Sequence, residues 1–305
     1  MPAATPMVGA PPHAMTSAAN DFILTLSCAD AKGIVYSVSG VLYQAGCNIL
    51  DSQQFGDPAT GLFFMRVHFS APAHLDGAEK VELLFTDLRQ RFGMQAQIHC
   101  VARRERVLIA VSRQAHCLND LLFRWRAGQI PMDVVGVVSN HRDCASLAAH
   151  YEVPFHHEPL AAGADAPTKR AQELRIEALM REQGVELLVL ARYMQILSAE
   201  FCAALDGRAI NIHHSFLPSF KGARPYRQAH ERGVKLIGAT AHYVTPELDE
   251  GPIIEQDVQR VDHGLDAEEL TSVGQDVENQ VLARAVRWHV EHRILRNGHK
   301  TVVFK

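Results

Sequence analysis

An asparagine and a histidine two positions apart are the residues whose types and spacing best suit chemistry. Asn211 and His213 close an apolar segment over Ala209–His213, with Ile212 between them. Alternate side chains of a β-strand point to the same face, so we expect the amide and the imidazole side by side and Ile212 turned into the core. Ligands of open α/β sheets bind at the carboxyl ends of strands. The spacing therefore predicts a polar site at the end of this strand.

A strand followed by an acidic loop offers the missing carboxylate. The stretch 241–252, AHYVTPELDEGP, carries three acidic residues, Asp249 among them, between a proline and a glycine–proline pair. Carboxylate, imidazole and amide together suit attack of water on a carbonyl. The carboxylate orients or deprotonates the water, and the other two groups stabilise the developing oxyanion. Taken alone, the Asn-x-His spacing fits a structural polar pair at a strand end equally well.

The 17 histidines keep a metal site among the alternatives. The candidate ligands are His213, His214 and His242, but His213 and His214 are adjacent on a strand and should point to opposite faces. No HExxH or comparable ligand spacing occurs. The six cysteines form no CxxC pair. We therefore expect no metal, and we interpret the cysteines as free thiols of a protein from a reducing compartment, the cytoplasm.

The composition is that of a globular protein of about two domains. Of its 305 residues, 47% are hydrophobic and 21% charged, and the formal net charge is −4. This balance argues against a nucleic-acid partner, and no apolar run reaches the ~18 residues of a membrane helix. Residues 1–20 are rich in Ala and Pro and lack the basic start and apolar core of a signal peptide, so we expect a flexible tail.

Residues 21–102 follow the order strand, helix, strand, strand, helix, strand. Apolar alternation and turn residues predict the four strands, at 22–26, 47–55, 61–69 and 95–101. Helical spacing of apolar residues predicts the two helices, at 34–45 and 75–92. A βαββαβ unit of this kind folds as a ferredoxin-like sheet with both helices on one face.

Residues 103–305 alternate strands with helices, after a basic linker at 103–106. Strands are predicted at 107–112, 132–139, 153–155, 185–192 and 209–213. Helices are predicted from Leu118, from Cys144, from Thr168 (as N-cap) to Glu182, and from Asp266 to Arg293. The nearly continuous apolar run at 185–192 is typical of a central parallel strand. The alternation predicts a Rossmann-like, doubly wound α/β sheet.

The stretch 211–218, NIHHSFLP, followed by Asp249, resembles the folate-dependent formyltransferase fold. Members of this family share an Asn-x-His motif and a distant Asp as a catalytic trio, and the flanking Leu-Pro and Leu-Asp-x-Gly-Pro also agree. The resemblance implies that Asn211, His213 and Asp249 carry catalysis. It makes His214, beside the trio, a candidate for positioning water, although an outward packing histidine fits its place as well.

The stretch 190–198, LARYMQILS, resembles the loop of this family whose backbone binds the pterin and whose apolar side chains line its slot. By this resemblance, folate contacts are expected on this loop and on the acidic loop, at Met194, Gln195, Ile196, Leu197, Val244, Thr245 and Leu248. The residues alone allow Ile196 and Leu197 to be ordinary core residues.

Two features distinguish the chain from transferases of this fold. Residues 112–120, SRQAHCLND, contain no glycine where the transferases acting on glycinamide ribonucleotide carry a glycine-rich turn that grips phosphate. The chain ends at Lys305, whereas formyltransferases acting on initiator tRNA carry a further carboxyl-terminal domain. The unit at 21–102 instead resembles an ACT domain, a module that often binds amino acids at subunit interfaces. The fused pair, with 213–226 (HHSFLPSFKGARPY), resembles the formyltetrahydrofolate deformylase family.

This resemblance implies a protein of the α/β class that hydrolyses a linear amide C–N bond. It would have an ACT regulatory domain at 21–102 and a formyltransferase-fold domain at 103–305. It would split 10-formyltetrahydrofolate into formate and tetrahydrofolate without a cofactor, supply formate for purine biosynthesis and balance one-carbon pools. A homo-oligomer, dimer or tetramer, is expected, as is an amino-acid effector site near Asp30, Gly33 and Asn48.

Two other functions remain open at this point. A formyltransferase with a small amine acceptor would share the trio and differ only in the nucleophile. A non-catalytic folate or amino-acid sensor would use the N-terminal unit, although the intact trio argues against it.

Overall fold

In this computed structural model, which describes residues 20–217 and 225–305, the chain builds two main β-sheets and a terminal hairpin. The expected tail, apart from Asn20, lies outside the described residues. No helix in the described part is long and apolar enough to cross a membrane.

The N-terminal sheet has four strands in the order β2-β3-β1-β4, and all neighbours run antiparallel. Its elements are β1 (Asp21–Ala29), α1 (Ile34–Gln44), β2 (Asn48–Asp57), β3 (Leu62–Ser70), α2 (Ala78–Leu83), α3 (Thr86–Phe92) and β4 (Gln95–Cys100). Buried side chains of strands and helices, such as Leu24, Val38 and Phe85, form one core. This arrangement is compatible with the expected βαββαβ unit.

The prediction of a single helix at 75–92 is wrong, because the structure has two short helices in this segment, α2 and α3. The amides of Leu84 and Phe85 bond to the carbonyls of Val81 and Glu82, three residues back, at 3.1 Å each. These tight i→i−3 turns interrupt the α-helical pattern. The interruption leaves Phe85 fully buried in the core, together with Val81.

The C-terminal sheet has seven strands in the order β11-β10-β9-β8-β5-β6-β7. Its elements are β5 (Glu105–Val111), α4 (His116–Arg126), β6 (Met132–Ser139), α5 (Ala145–His150), β7 (Phe155–His157), α6 (Ala166–Glu182), β8 (Leu187–Leu190), α7 (Ala199–Ala204), β9 (Ala209–His213), α8 (Pro225–Glu231), β10 (Leu236–Tyr243), β11 (Ile253–Arg260) and α9 (Ala267–Val290). The five neighbouring strands β9, β8, β5, β6 and β7 run parallel to one another, whereas β10 is antiparallel to both β9 and β11. The chain order reverses between β5 and β8, so the sheet is doubly wound as predicted, with a crevice at the carboxyl ends of these strands.

Helix α6 begins earlier than the sequence pattern suggested. Thr168 was the predicted N-cap, but Asp165 fills that position and its carboxylate accepts a hydrogen bond from the Thr168 amide at 2.9 Å. Pro167 lies in the first turn, where its missing N–H leaves no intrahelical bond unmade. Helix α9 begins with a capping box formed by Asp266 and Glu269, as the predicted start at Asp266 requires.

A terminal hairpin, absent from the sequence predictions, joins the two sheets. It consists of β12 (Ile294–Asn297) and β13 (Lys300–Val303). Phe64 of β3 packs with Leu295 and Phe304 in a small buried cluster. Asn297 donates a 2.7 Å hydrogen bond to the Asp57 carboxylate. The hairpin therefore covers the N-terminal sheet with apolar and polar contacts.

The end of α9 is fixed to the N-terminal sheet by a buried arginine. Arg66, 3% exposed, donates to the carbonyls of Glu291 and His292 at 3.0 and 3.1 Å. These carbonyls follow the end of α9, where backbone acceptors lack helical partners and attract positive charge. Beside them, the rings of His99 and His292 stack with centroids 3.6 Å apart. Burial lowers the pKa of His99 to about 4 and that of His292 to about 3.

We expect the free energy of unfolding to decrease as the pH falls from about 6.5 towards 4. In this pH range the three histidines His99, His214 and His292 bind protons in the unfolded chain but stay neutral in the folded protein, because burial lowers their pKa. Acid therefore favours unfolding. His99→Phe keeps a ring against His292 but removes one such group. Its urea-unfolding free energy should depend less steeply on pH, by up to about 1.4 kcal/mol per pH unit.

Replacement of the exposed His74 by Phe is the matched control and should leave the slope of the wild type unchanged. Identical pH dependence in His99→Phe and the wild type would contradict the assignment of a neutral, buried His99.

Candidate functional site

The structure brings the three predicted catalytic side chains together. Asn211 and His213 extend from the same side of β9, while Ile212, 3% exposed, belongs to the apolar core on the other side. His213 Nδ1 lies 3.2 Å from Asp249 Oδ2. The alternation of side chains along a strand thus places the amide and the imidazole as expected, and the acidic loop supplies the carboxylate.

The loop that carries Asp249 turns back sharply after β10. Asp249 has φ 58°, in the left-handed region that residues with a Cβ seldom adopt. A Cβ on Gly251 would lie 1.7 Å from the carbonyl oxygen of Tyr243, so only glycine fits there. The amide of Tyr243 bonds to the Pro252 carbonyl at 3.0 Å. This close return of the backbone, together with the strained φ, directs the Asp249 carboxylate onto β9.

The Asp249 carboxylate is ionised at neutral pH. Burial raises its pKa, but the polar contacts with His213 and then His242 outweigh burial and hold the pKa well below its usual range. A carboxylate with so low a pKa is a weak proton acceptor. The ionised carboxylate, 3.2 Å from His213 Nδ1, can orient that ring and accept a hydrogen bond from a water molecule.

His242, which the sequence indicated only as a possible metal ligand, belongs to this site. It lies directly opposite Asn211 in the antiparallel pairing of β10 with β9. Its Nε2 lies 3.3 Å from Asn211 Nδ2 and 3.7 Å from Asp249 Oδ1. The only sequence signal was a histidine on the strand that enters the acidic loop, and the register of the two strands was needed to place it.

His214 is buried beside the trio. It follows the last residue of β9, and its ring stacks on that of His213 with centroids 5.2 Å apart. The expectation that these two rings point to opposite faces is wrong, because the strand ends between them. Burial, followed by the nearby Arg192 charge, lowers the pKa of His214 to about 4, so the ring is neutral near pH 7. A neutral imidazole can accept a hydrogen bond from water.

A buried carboxylate organises the wall behind His214. Glu278 of α9, fully buried, accepts from the Tyr226 hydroxyl at 2.6 Å and lies 2.8 Å from His116 Nε2. The guanidinium of Arg192 lies 3.5 Å away and lines the same wall. Burial raises the pKa of Glu278, but these partners outweigh it and lower the pKa. The carboxylate is therefore charged and neutralised within the protein.

Glu278, His116 and Cys117 form the one group within the described residues whose spacing would suit a metal ion. Glu278 already accepts from two side chains, and the Arg192 guanidinium beside it opposes a second cation. The donor chemistry therefore favours an ion-pair network at this position over a metal site.

A cavity of about 580 Å³ opens between this wall, the loop after β5 and the start of α9. His214, Arg192 and Ser112 line it, as do two of the predicted folate contacts, Met194 and Gln195. The other five predicted contacts, Ile196, Leu197, Val244, Thr245 and Leu248, do not line it. The cavity therefore borders His214 and the part of the expected folate loop that carries Met194 and Gln195.

The predicted folate residues differ in their exposure. Met194, Ile196 and Leu248 are large apolar side chains that are 57, 64 and 58% exposed. Val244 is buried and Leu197 packs against the same core cluster, as the alternative interpretation of Leu197 allowed. Exposed apolar side chains on loops beside a polar site indicate a surface that a bound ligand covers.

The structure separates the residues expected to form an effector site. Asp30 and Gly33 follow β1, near the paired ends Ala29 and Leu62, whereas Asn48 pairs with Ser70 at the opposite end of the sheet. Helix α1 runs back along the strands, so its first and last residues lie at opposite ends of the strands. Eight strand steps of ~3.3 Å separate these ends, so the three residues do not meet within one chain.

Gly274 is the residue that lets Tyr226 reach Glu278. A Cβ at Gly274 would lie 2.2 Å from the Tyr226 ring. We expect Gly274→Ala to displace the ring, break the bond to Glu278 and reduce the free energy of unfolding by about 1–3 kcal/mol in urea titrations. Gly40→Ala on α1 is the control, because its Cβ meets nothing within 4 Å; it should be neutral or stabilising. Equal stability of both variants would exclude this close contact.

Comparison with known proteins places this chain in a family. A model of the formyl transferase family matches residues 105–286. A formyltetrahydrofolate deformylase of Bacillus subtilis (strain 168) is 44% identical over 92% of this chain and 93% of its own length. The structure of formyltetrahydrofolate deformylase from Burkholderia mallei ATCC 23344 is 52% identical, with a TM-score of 0.87 over 94% of this chain and 100% of that chain.

A more distant match covers a smaller share of the chain. Glycinamide ribonucleotide transformylase 1 from Symbiobacterium toebii is 31% identical, with a TM-score of 0.62, and covers 66% of this chain and 95% of that chain. The similarity to the deformylases, in contrast, extends over nearly the whole chain. The protein belongs to the formyltetrahydrofolate deformylase family of formyl transferases.

Proposed function

We propose that this protein hydrolyses 10-formyltetrahydrofolate to formate and tetrahydrofolate. The contact of His213 with Asp249 at 3.2 Å, with Asn211 beside them on β9, is the observation that carries the proposal. The family to which the chain belongs supports the substrate. The reaction needs a nucleophilic water, stabilisation of an oxyanion and a proton for the leaving nitrogen, and the three side chains supply groups for these tasks.

Each catalytic side chain has a role that follows from its contacts. Asp249 accepts a hydrogen bond from His213 Nδ1, which leaves Nε2 to face the substrate; this buried nitrogen has no hydrogen-bond partner among the described residues. The ionised Asp249 also holds the attacking water by accepting its hydrogen bond. Asn211 Nδ2 and the His213 ring stabilise the oxyanion as water adds to the formyl carbon. The attacking water gives up one proton, which N10 takes up as the C–N10 bond breaks, and the products leave as tetrahydrofolate and formic acid, which ionises to formate.

We propose that the folate binds to the loops that carry the exposed side chains of Met194, Ile196 and Leu248. Their exposed apolar surface suits an aromatic ring system such as the pterin. The remaining contacts on these loops, proposed from the family resemblance, are Gln195, Leu197, Val244 and Thr245. His214, neutral and buried, is proposed to help position the water. No cofactor is required by this mechanism.

A second candidate function is formyl transfer to a small amine. The cavity of about 580 Å³ that adjoins His214 is far larger than a single water molecule, which occupies ~30 Å³. An amine held there would reach the formyl carbon from the side of His214. The two functions share the trio and differ in the nucleophile.

The N-terminal sheet is proposed to be a ferredoxin-like ACT domain with a regulatory role, over residues 21–102, and residues 103–305 to be the catalytic domain. Its antiparallel strand order, with the helices α1, α2 and α3 packed on the strands, supports this assignment. An amino-acid effector at Asp30 and Gly33 would need a second copy of the chain to supply Asn48, which favours a homo-oligomer. The free cysteines support a cytoplasmic location, where the formate would serve purine biosynthesis.

Formate release from 10-formyltetrahydrofolate by the purified protein tests the proposed reaction. With no amine and with a chelator present, we expect formate and tetrahydrofolate in equal amounts. Tetrahydrofolate release only after an amine is added, without free formate, would establish the transferase. Loss of activity under the chelator would show that a metal is needed, and no reaction under any condition would exclude both enzyme functions.

Substitutions in the trio test the roles of its members. Asn211→Ala should reduce kcat by roughly 10²–10³-fold, because one oxyanion donor is lost. Asp249→Asn should reduce it at least as much, because a neutral amide holds the His213 ring and the attacking water less strongly than the carboxylate does. Asn119→Ala is the control, since this asparagine is exposed on α4 and should leave kcat unchanged. An unaltered rate in Asn211→Ala or Asp249→Asn would remove that residue from the mechanism.

A further inference from the structure

His242 lies at the centre of the polar contacts around the trio, although it has no assigned role. It is 3% exposed and forms a cross-strand pair with Asn211. Its two ring nitrogens contact different partners. Nδ1 lies 2.9 Å from the carbonyl oxygen of Tyr243, and Nε2 lies 3.3 Å from Asn211 Nδ2.

These two contacts determine the tautomer of the ring. A backbone carbonyl can only accept, so His242 Nδ1 carries the hydrogen that bonds to Tyr243. Nε2 of the neutral ring then presents a lone pair, which accepts one N–H of the Asn211 amide. The amide is thereby fixed, with its oxygen turned away from Nε2 and its second N–H free for another acceptor. In the proposed mechanism that acceptor is the oxyanion of the formyl group.

The backbone around His242 is shaped to allow this contact. The pairing of β10 with β11 shifts register between Ala241 and His242, as in a β-bulge, which changes the direction of a side chain. A Cβ on Gly251 would lie 3.2 Å from His242 Nδ1 and would collide with the Tyr243 carbonyl. The bulge and the glycine together bring the carbonyl and the ring to hydrogen-bond distance.

We propose that His242 is a positioning residue: in its neutral Nδ1–H form it fixes the amide of Asn211 as an oxyanion donor and borders the carboxylate of Asp249. His242 acts through these residues and does not touch the reacting atoms. The inference rests on the proposed roles of Asn211 and Asp249, and its tests separate the two. The 3.7 Å separation from Asp249 Oδ1 is too long for a hydrogen bond, so the contact with Asn211 is the one that matters.

Two substitutions distinguish positioning from mere packing. His242→Phe fills the space but removes the acceptor, and it should reduce kcat by roughly 10²-fold with little change in KM, because the loss is felt in the transition state. His242→Gln keeps an oxygen acceptor near the place of Nε2 and should recover most of this loss. Urea unfolding of both variants measures the structural effect separately. Equal kcat in His242→Phe and the wild type, or equal losses in Phe and Gln variants, would overturn the proposal.

A double variant tests the route through Asn211. If His242 acts through that amide, His242→Phe should reduce kcat far less in an Asn211→Ala background than in the wild type. Fully additive losses would overturn the proposal. A harmless Asn211→Ala would instead remove Asn211 from the mechanism, an outcome distinct from a damaging Asn211→Ala combined with a harmless His242→Phe.

The tautomer can be observed without any activity measurement. In ¹⁵N NMR spectra of the full-length protein, His242, assigned by comparison with His242→Gln, should show a protonated Nδ1 and an unprotonated Nε2. A hydrogen on Nε2 would overturn the proposal, because Nε2 could then no longer accept from the Asn211 amide. This measurement also decides the question if His242→Phe does not fold.

Discussion

In the C-terminal sheet, β10 runs antiparallel to β9, and this pairing sets His242 opposite Asn211. The loop after β10 then returns across the pair and brings the Asp249 carboxylate to His213. A parallel β10 would send this loop to the far end of the strand. The reversal at one edge of a parallel sheet is therefore the constraint on which the contact of carboxylate, imidazole and amide depends.

The histidines of the site differ in the charged groups that surround them. His213 and His242 flank an ionised carboxylate, whereas His214 lies in a buried position near the Arg192 cation and is neutral. The excess positive charge of Arg192 is compensated by Glu278, which the hydroxyl of Tyr226 also holds. The site thus keeps an ionised carboxylate beside His213 and, behind the stacked ring of His214, a wall in which the charges of Arg192 and Glu278 balance.

Helix α9 connects this site to the rest of the molecule. Its middle carries Gly274 and Glu278 in the wall behind His214, and the carbonyls after its end accept from Arg66 of the N-terminal sheet. A displacement of the N-terminal sheet would therefore act on the same helix that holds the wall. The contacts at the junction are polar and buried, so their geometry is specified more tightly than an apolar interface would require.

The sequence by itself determined the strand that presents Asn211 and His213, the doubly wound order and the start of α9 at Asp266. These are local matters of side-chain alternation, apolar periodicity and capping, which neighbouring residues decide. Only the tertiary structure decided that His242 faces Asn211, that Asn48 lies far from Asp30, and that the terminal hairpin covers β3. Strand register, the direction of α1 and docking between sheets depend on residues distant in the chain, whose pairing no local pattern encodes.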